Sequence, residues 1–224
     1  MALFIDGGNM NKKYNVILFD MDGTIADTDP MLFATMCVLY DKFKNGQRRT
    51  KEEVYYFSGP PIRGTLAREF PDLDSDFIYN EFYQTSKGFY EKEHVLAYPH
   101  CREVLLRLKE KGFRLGVVTN KVRDLAETTL KVVMLDDVME YLVGINDVKN
   151  PKPDKEGIIK AINALGGDTK HTLYVGDNNM DLLSANNAGV DCCLISWGPR
   201  ELPKDINPKY KIASYLELED ILYE

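Results

Sequence analysis

Short apolar runs that end in polar residues and glycine or asparagine recur along this chain, with amphipathic stretches between them. Residues 16–19 form the first run, and such continuous runs are typical of strands buried on both faces of a parallel sheet. Alternating strands and helices predict an α/β fold with helices on both faces of the sheet. Later strands are predicted at residues 115–119, 142–146, up to Val175, 192–195 and 210–212, and helices at residues 101–111, 123–133, 155–165, 179–188 and 216–222.

Only helical patterns occur between the first two predicted strands. Asp29 and Pro30 predict a helix start, with Asp29 as the N-cap and proline in the first turn. Thr50 followed by Glu53 matches a capping box, in which each residue binds the backbone of the other. Further helices are predicted after the Gly-Pro-Pro sequence at residues 59–61 and over residues 74–93.

This pattern predicts two units in one chain. An all-helical unit is expected over residues 28–97, inserted between two parts of an α/β unit, residues 1–27 and 98–224. A chain of 224 residues can form one medium-sized domain with an insertion and bury a full core. Residues 1–13 are interpreted as a leader or an added edge strand.

Composition limits the classes of partner. The net charge of −7 disfavours an extended nucleic-acid surface, since such a surface needs clustered lysine and arginine. Four cysteines without disulfide or metal-ligand spacing predict buried, reduced thiols. No basic-then-apolar leader and no run of 18 apolar residues is present, so we expect a cytoplasmic protein without a membrane partner.

Two aspartates, Asp20 and Asp22, directly follow the first predicted strand. Ligands of parallel sheets bind beyond the carboxyl ends of the strands, and alternation sends the two carboxylates to the same side. Two carboxylates about 4 Å apart repel by roughly 4 kcal/mol at an effective dielectric constant near 20, which a divalent cation would relieve. The structural alternative is a strand end with an Asx-turn, because Asp and Gly are common in turns.

Three further segments extend the pattern. Thr119 and Asn120 end a second apolar run, Lys152 lies between two prolines, and residues 172–181 form an apolar run followed by Gly-Asp-Asn-Asn-Met-Asp. With the Asp-Met-Asp-Gly-Thr segment, these four motifs, in this order, resemble the haloacid dehalogenase-like hydrolases, within their phosphoglycolate phosphatase-like branch. The resemblance extends from about Tyr14 to the C-terminus, and it implies a Rossmann-like core and a helical cap at residues 28–97.

The resemblance implies a role for each motif residue. Asp20 matches the nucleophile that takes the phosphoryl group as an aspartyl-phosphate, and Asp22 matches the general acid-base residue. Thr119 matches a phosphate-binding hydroxyl and Asn120 a second donor, while Lys152 matches the cation that binds the phosphate and offsets the carboxylates. Ordinary structural roles remain open for Thr119, as a strand threonine, and for Lys152, as a solvated lysine. Thr24 is also included among the implied substrate-binding residues.

A magnesium site is implied at the same place. Asp20 and Asp177 match carboxylate ligands, Asp22 matches a backbone carbonyl ligand, and Asp181 matches an acid that holds metal-bound water or orients Lys152. For Asp181 the alternative is an ordinary acid stabilised by the N-terminus of a helix. Oxygen ligands alone, with no histidine or cysteine near these motifs, favour Mg²⁺ over Zn²⁺.

The expected activity is a Mg²⁺-dependent phosphatase that acts on a small phosphorylated metabolite, as a monomer or homodimer. Alternatives of similar architecture are a β-phosphoglucomutase-like sugar-phosphate mutase and an inorganic pyrophosphatase. Dehalogenation is disfavoured, because dehalogenases of this fold lack the second aspartate, which is present here as Asp22. A non-catalytic binding module is disfavoured too, because no motif residue is lost.

Substrate specificity is expected to involve Arg63, which follows the two prolines of the loop between two cap helices. Prolines fix the backbone, and an arginine suits a carboxylate or a second phosphate at the far end of a substrate. The alternative is that Arg63 is a solvated residue in the first turn of its helix.

Overall fold

The computed structural model describes residues 11–90, 94–197 and 207–223. Its strands, in chain order, are β1 Val16–Phe19, β2 Ala26–Asp27, β3 Leu96–Ala97, β4 Arg114–Val118, β5 Tyr141–Val143, β6 Thr172–Gly176, β7 Asp191–Ile195 and β8 Tyr210–Ile212. Its α-helices are α1 Asp29–Phe43, α2 Lys51–Tyr55, α3 Ile62–Glu69, α4 Ser75–Lys87, α5 Cys101–Glu110, α6 Arg123–Val132, α7 Glu156–Ala164 and α8 Asn179–Ala188. Three short 3-10 helices lie at Ile145–Asp147, Tyr215–Glu217 and Glu219–Ile221.

Six strands form one parallel sheet in the order β5-β4-β1-β6-β7-β8. Strand β1 is fully buried and lies between β4 and β6. Alternate residues of these strands face opposite sides, because the side chains of a strand alternate. Ile17 and Phe19 pack in a cluster with α5 and α6, whereas Val16 and Leu18 pack with α7 and α8. The predicted α/β fold is therefore confirmed.

The four helices between β2 and β3 have a hydrophobic cluster of their own. Its buried residues come from all four helices or the residues that end them: Leu32, Met36, Leu39, Tyr40, Val54, Leu66, Phe70, Ile78 and Phe82. Strands β2 and β3 pair antiparallel, so the chain leaves the sheet unit and returns to it side by side. The division into two domains at residues 27/28 and 97/98 stays a prediction.

Several predicted elements need correction. The N-cap of α1 is Thr28 rather than Asp29, and Pro30 lies in its first turn. Helix α4 ends at Lys87, where Gly88 closes it, and residues 91–93 of the predicted helix lie outside the described residues. Strand β3 is a strand within the segment predicted as all helical.

At the C-terminus, the predicted helix over residues 216–222 is two 3-10 turns instead. The first turn begins at Ser214, whose side chain accepts a hydrogen bond from the Leu216 amide. Strand β5 likewise ends at Val143, before the predicted Asn146, because the chain turns into the 3-10 helix Ile145–Asp147.

Smaller predictions also have outcomes. The capping box of Thr50 and Glu53 is present, with bonds of 3.2 and 2.8 Å. All four cysteines are free, and Cys37 is half-buried while the other three are buried. Of residues 1–13, the described Lys12 forms an isolated bridge with Tyr223, and residues 1–10 lie outside the described part. Within the described ranges, every helix is too short or too polar to cross a membrane.

Candidate active site

Three neighbouring strands end at one edge of the sheet and bring the predicted site residues together. Asp20 follows β1, Thr119 follows β4, and Asp177 follows β6. Because the three strands are parallel, their carboxyl ends meet at the same edge, with Asp20 in the middle. Asp20 and Thr119 are 2% and 4% exposed, so each is held in a fixed, buried position.

Lys152 provides a buried cation at this edge. Its ammonium donates to Asp20 Oδ1 at 2.7 Å, to Asp181 Oδ1 at 2.7 Å and to the Tyr174 hydroxyl at 3.2 Å. Burial lowers the pKa of Lys152, but Asp181 and Asp20 more than offset this and hold the pKa well above its ordinary value. Lys152 therefore remains positively charged and offsets the negative charge of one of its two carboxylate partners, Asp20 and Asp181.

Three carboxylates surround a possible metal position. One oxygen each of Asp20, Asp177 and Asp181 lies within 4.8 Å of the others, and this group fits a divalent cation with oxygen ligands. Burial, followed by the Asp181 carboxylate, raises the pKa of Asp20 to about 7, although Lys152 acts in the opposite direction. A cation at this position would relieve that repulsion. The donor chemistry fits Mg²⁺; the Asp22 carboxylate does not belong to this described group.

Close approach of the backbone positions Asp181. A Cβ at residue 176 would lie 2.3 Å from the Asp181 Cβ, so only glycine fits in that place. The backbone amides of Asp177 and Asn178 donate to Asp181 Oδ2 at 3.1 and 3.2 Å. One oxygen of Asp181 thus binds the loop before α8, and the other binds Lys152.

Asp22 lies beside the carboxylate group rather than within it. Its Oδ1 accepts from the Thr28 hydroxyl and from the Lys121 ammonium, both at 2.6 Å. The Lys121 side chain is 8% exposed. Burial lowers the pKa of Lys121, but Asp22 and then Tyr90 raise it above its ordinary value, so Lys121 is charged. These two donors fix the orientation of the Asp22 side chain.

Asn120 joins three segments of the chain. Its side-chain amide donates to the carbonyls of Gly59 at 3.0 Å and Lys152 at 3.3 Å, and its Oδ1 accepts from the Lys152 amide at 3.1 Å. Gly59 has a φ of +104°, and a Cβ there would lie 3.0 Å from Asn178 Nδ2. The loop between α2 and α3 therefore lies directly over the edge of the sheet. The donor role predicted for Asn120 toward phosphate stays a prediction.

A cavity of about 930 Å³, including its open mouth, lies between this edge and the helices α1, α3 and α4. Asp20, Asp22, Thr119 and Asn120 line the end nearest the sheet, and Arg63 lines part of the cavity. The Arg63 guanidinium binds Asp76 at 2.6 Å and lies 3.9 Å from the centre of the Tyr79 ring. Half of the Arg63 side chain is exposed. The substrate-binding role predicted for Arg63 stays a prediction.

Thr24 is placed differently from the other predicted residues. It is fully buried, and its hydroxyl donates to Asp177 Oδ1 at 3.4 Å. Among the residues described as lining the cavity, Thr24 is absent. The contact that the structure does show for its hydroxyl is with Asp177, so its predicted contact with substrate remains untested.

Sequence reasoning missed Lys121, Tyr174 and Asn178. Lys121 has the pattern of a solvated loop lysine, and only its position directly after Thr119 and Asn120 could have drawn attention to it. The Tyr174 hydroxyl donates to the Val118 carbonyl at 2.9 Å and meets Lys152 at 3.2 Å. The signal in the sequence was the hydroxyl of Tyr174 within a mainly apolar strand that is followed by Asp177.

Parallel strands with acids, a buried lysine and a threonine at one edge define a Rossmann-like α/β protein with a polar site beyond the strand ends. The model of the haloacid dehalogenase-like hydrolase family matches residues 17–195, and the chain belongs to this family. This chain is 30% identical over 212 residues to the pyrophosphatase PpaX of Halalkalibacterium halodurans. The matched region covers 94% of this chain and 97% of that protein. A PpaX of Bacillus pumilus is 35% identical over 186 residues, covering 82% and 83%.

Solved structures show the same fold. A haloacid dehalogenase-like hydrolase from Bacteroides fragilis superposes with a TM-score of 0.82 at 23% identity, covering 92% of this chain and 100% of that one. A predicted phosphoglycolate phosphatase from Haemophilus somnus gives a TM-score of 0.81 at 20% identity, covering 93% and 98%. At these identities the likeness concerns the fold, and the predicted family is confirmed by the match at residues 17–195.

Proposed function

We propose that this protein is a Mg²⁺-dependent phosphatase that hydrolyses a small phosphate monoester through an aspartyl-phosphate on Asp20. The observation that carries the proposal is the position of the Asp20 carboxylate. It lies at the base of the cavity, 2.7 Å from the Lys152 ammonium and within 4.8 Å of the Asp177 and Asp181 oxygens. A carboxylate so placed has a positive charge beside it to stabilise the phosphoryl oxygens during transfer.

Each neighbouring residue has a distinct task in this proposal. Asp20 attacks phosphorus while the bond to the leaving oxygen breaks, and Asp22 gives that oxygen a proton so that it departs as an alcohol. Asp22 then takes a proton from a water molecule that attacks the aspartyl-phosphate, which breaks the bond between Asp20 and phosphorus and releases phosphate. The Thr119 hydroxyl, which lines the cavity, and the Lys152 ammonium bind phosphoryl oxygens. Asp20, Asp177, Asp181 and the Asp22 carbonyl would hold Mg²⁺, which when bound supplies charge stabilisation of the phosphoryl group.

Lys121 and Thr28 hold the Asp22 side chain for these two proton transfers. Both donate to the same oxygen, Oδ1, at 2.6 Å. The other oxygen, Oδ2, is thereby the one that gives and takes the proton. This fixed orientation of the Asp22 side chain supports a role in proton transfer.

Inorganic pyrophosphate is a second candidate substrate. The relatives from Halalkalibacterium halodurans and Bacillus pumilus are both named pyrophosphatases, and both match more than four fifths of this chain. Pyrophosphate hydrolysis would use the same attack by Asp20 with a phosphate as leaving group. A monoester remains the leading proposal, because the cavity lining beyond the carboxylates is mainly apolar.

Phosphate release from a panel of phosphorylated metabolites, with pyrophosphate included and Mg²⁺ present, tests the proposal. We expect turnover of at least one monoester and its loss in Asp20→Asn, since an amide cannot form the covalent intermediate. Asp72→Asn, at an exposed aspartate, is the matched control. If folded protein released phosphate from none of the compounds, this result would contradict a phosphatase function. A larger rate with pyrophosphate than with any monoester would favour the second candidate.

A further inference from the structure

Beyond the carboxylates, most of the cavity lining is aromatic and aliphatic. Five rings line it: Phe57, Tyr79, Phe82, Tyr83 and Tyr90. Six apolar side chains without rings line the same cavity: Met31, Leu32, Ile62, Val122, Leu125 and Ile145. In a phosphatase with its nucleophile at the base, this part of the cavity receives the leaving group.

The cations described in the cavity lining already have partners. Lys121 donates to Asp22 at 2.6 Å, and Arg63 donates to Asp76 at 2.6 Å while its guanidinium lies on the Tyr79 ring. An anionic far end would have to compete with Asp22 for Lys121 or share the Arg63 guanidinium with Asp76. It would otherwise lose its hydration against apolar side chains, which is costly for a carboxylate or a phosphate.

An uncharged ring gains from the same surroundings. The described lining leaves apolar and aromatic surface open to the cavity, and burying ring surface against it removes both surfaces from water. The tyrosine side chains add polar hydroxyl tips, so a partly polar ring is also accommodated.

We propose that the substrate is a phosphate monoester whose leaving alcohol is uncharged and carries an apolar or aromatic body about the size of one ring. This inference rests on the proposed phosphatase function and names its substrate class. It differs from a preference for phosphoglycolate or pyrophosphate, whose far ends are charged.

Hydrolysis of three compounds provides the first test. Benzyl phosphate and 2-phosphoglycolate both release an alkoxide and differ at the far end, where one has a ring and the other a carboxylate. We expect kcat/KM for benzyl phosphate to exceed the values for 2-phosphoglycolate and pyrophosphate by about tenfold or more. An equal or larger kcat/KM for either charged compound would overturn the inference.

Substitutions in the lining provide the second test. Ile145→Ala shortens a lining side chain and should reduce kcat/KM for benzyl phosphate by about threefold to tenfold, with little change for 2-phosphoglycolate. Ile159→Ala is the matched control. Ile159 is also half-buried, but it packs against the core cluster that includes α7 and α8. Equal losses of benzyl phosphate hydrolysis in Ile145→Ala and Ile159→Ala would contradict the inference.

Binding of non-hydrolysable analogues separates this inference from the proposed function. Titration calorimetry on the wild-type protein with Mg²⁺ should show benzylphosphonate binding about tenfold more tightly than phosphonoacetate. Preferential binding of benzylphosphonate without any hydrolysis would overturn the phosphatase function but support the ring subsite. Hydrolysis together with equal or tighter binding of phosphonoacetate, or no binding of benzylphosphonate, would overturn the ring subsite.

Discussion

The ammonium of Lys121 lies 2.6 Å from Oδ1 of Asp22, in a site where little of the lysine side chain is exposed. This contact joins the motif after β1 to the motif after β4. It also occupies the lysine that would otherwise be a free cation in the cavity. The orientation of the proposed acid-base residue therefore depends on a residue outside the four motifs.

Replacement of Lys121 by methionine tests this relationship. Lys121→Met keeps a long side chain but removes the donor, and we expect kcat to fall by about tenfold or more, roughly 1.4 kcal/mol, with a smaller change in KM. Lys121→Arg should restore part of the activity, because it keeps a donor. Lys131→Met, at an exposed lysine of α6, is the control. A Lys121→Met protein with wild-type kcat would show that Asp22 needs no such support.

Asn120 offers a test of the contact between the loop at Gly59 and the sheet edge. Asn120→Asp keeps an acceptor for the Lys152 amide but loses the donor to the Gly59 and Lys152 carbonyls. We expect faster hydrogen exchange in residues 57–62 and a kcat/KM about tenfold lower. The control is Asn163→Asp, which makes the same substitution at an exposed asparagine. Unchanged hydrogen-exchange rates of residues 57–62 in the Asn120→Asp variant would contradict the conclusion that the Asn120 side-chain amide holds this loop in place.

Glu69 gives a pH-dependent prediction away from the active site. Burial raises the pKa of Glu69, but hydrogen bonds from Arg49 and Tyr40 outweigh it and hold the pKa below its ordinary value of 4.5. A carboxylate with a lowered pKa in the folded state contributes stability above pH 4.5, and this stability is lost as the pH falls through the folded-state pKa.

Denaturant unfolding at pH 7 and at pH 3 measures this contribution. Glu69→Gln should lower the free energy of unfolding by about 2 kcal/mol at pH 7 and by less at pH 3. Glu127→Gln, at the exposed helical pair with Arg123, should change it by less than about 0.5 kcal/mol at pH 7. A loss in Glu69→Gln that is as large at pH 3 as at pH 7 would contradict the assignment.

The magnesium site is tested by removal and by substitution. A chelator should abolish phosphate release, Mg²⁺ should restore it, and excess Ca²⁺ should inhibit, because calcium accepts looser coordination than in-line attack tolerates. Asp177→Asn should weaken Mg²⁺ binding, measured by calorimetry, by about tenfold or more. Asp168→Asn, at an exposed aspartate, should bind Mg²⁺ as the wild type does. Full activity in chelator would contradict the metal assignment.

Much of the sheet and of its carboxyl edge was predictable from the sequence, because buried strands leave continuous apolar runs. The run at residues 16–19 and the polar residues after it gave both β1 and the position of Asp20. The C-terminal segment was not predictable in this way. Leu216, Leu218 and Leu222 suggest a helix, but the hydrogen bonds that backbone amides donate to the Ser214 and Glu217 side chains favour short 3-10 turns.

The contacts among site residues depend on long-range packing that no local pattern contains. Lys121 and Asp22 are 99 positions apart, and Asn120 and Gly59 are 61 apart. The same limit applies to the contacts of Arg63. Its position after two prolines was visible in the sequence, but its contacts with Asp76 and Tyr79 were not.

The covalent step at Asp20 is the central claim, and chemical trapping of the intermediate tests it most directly. Wild-type protein and Asp22→Asn, quenched in acid during turnover and reduced with borohydride, should contain homoserine at position 20 when peptides are analysed by mass spectrometry. Reduction converts an acyl phosphate to an alcohol but leaves a free carboxylate unchanged. Homoserine at position 20, dependent on substrate and absent without it, is the predicted result. Steady phosphate release with an unmodified Asp20 in both proteins would contradict the covalent mechanism.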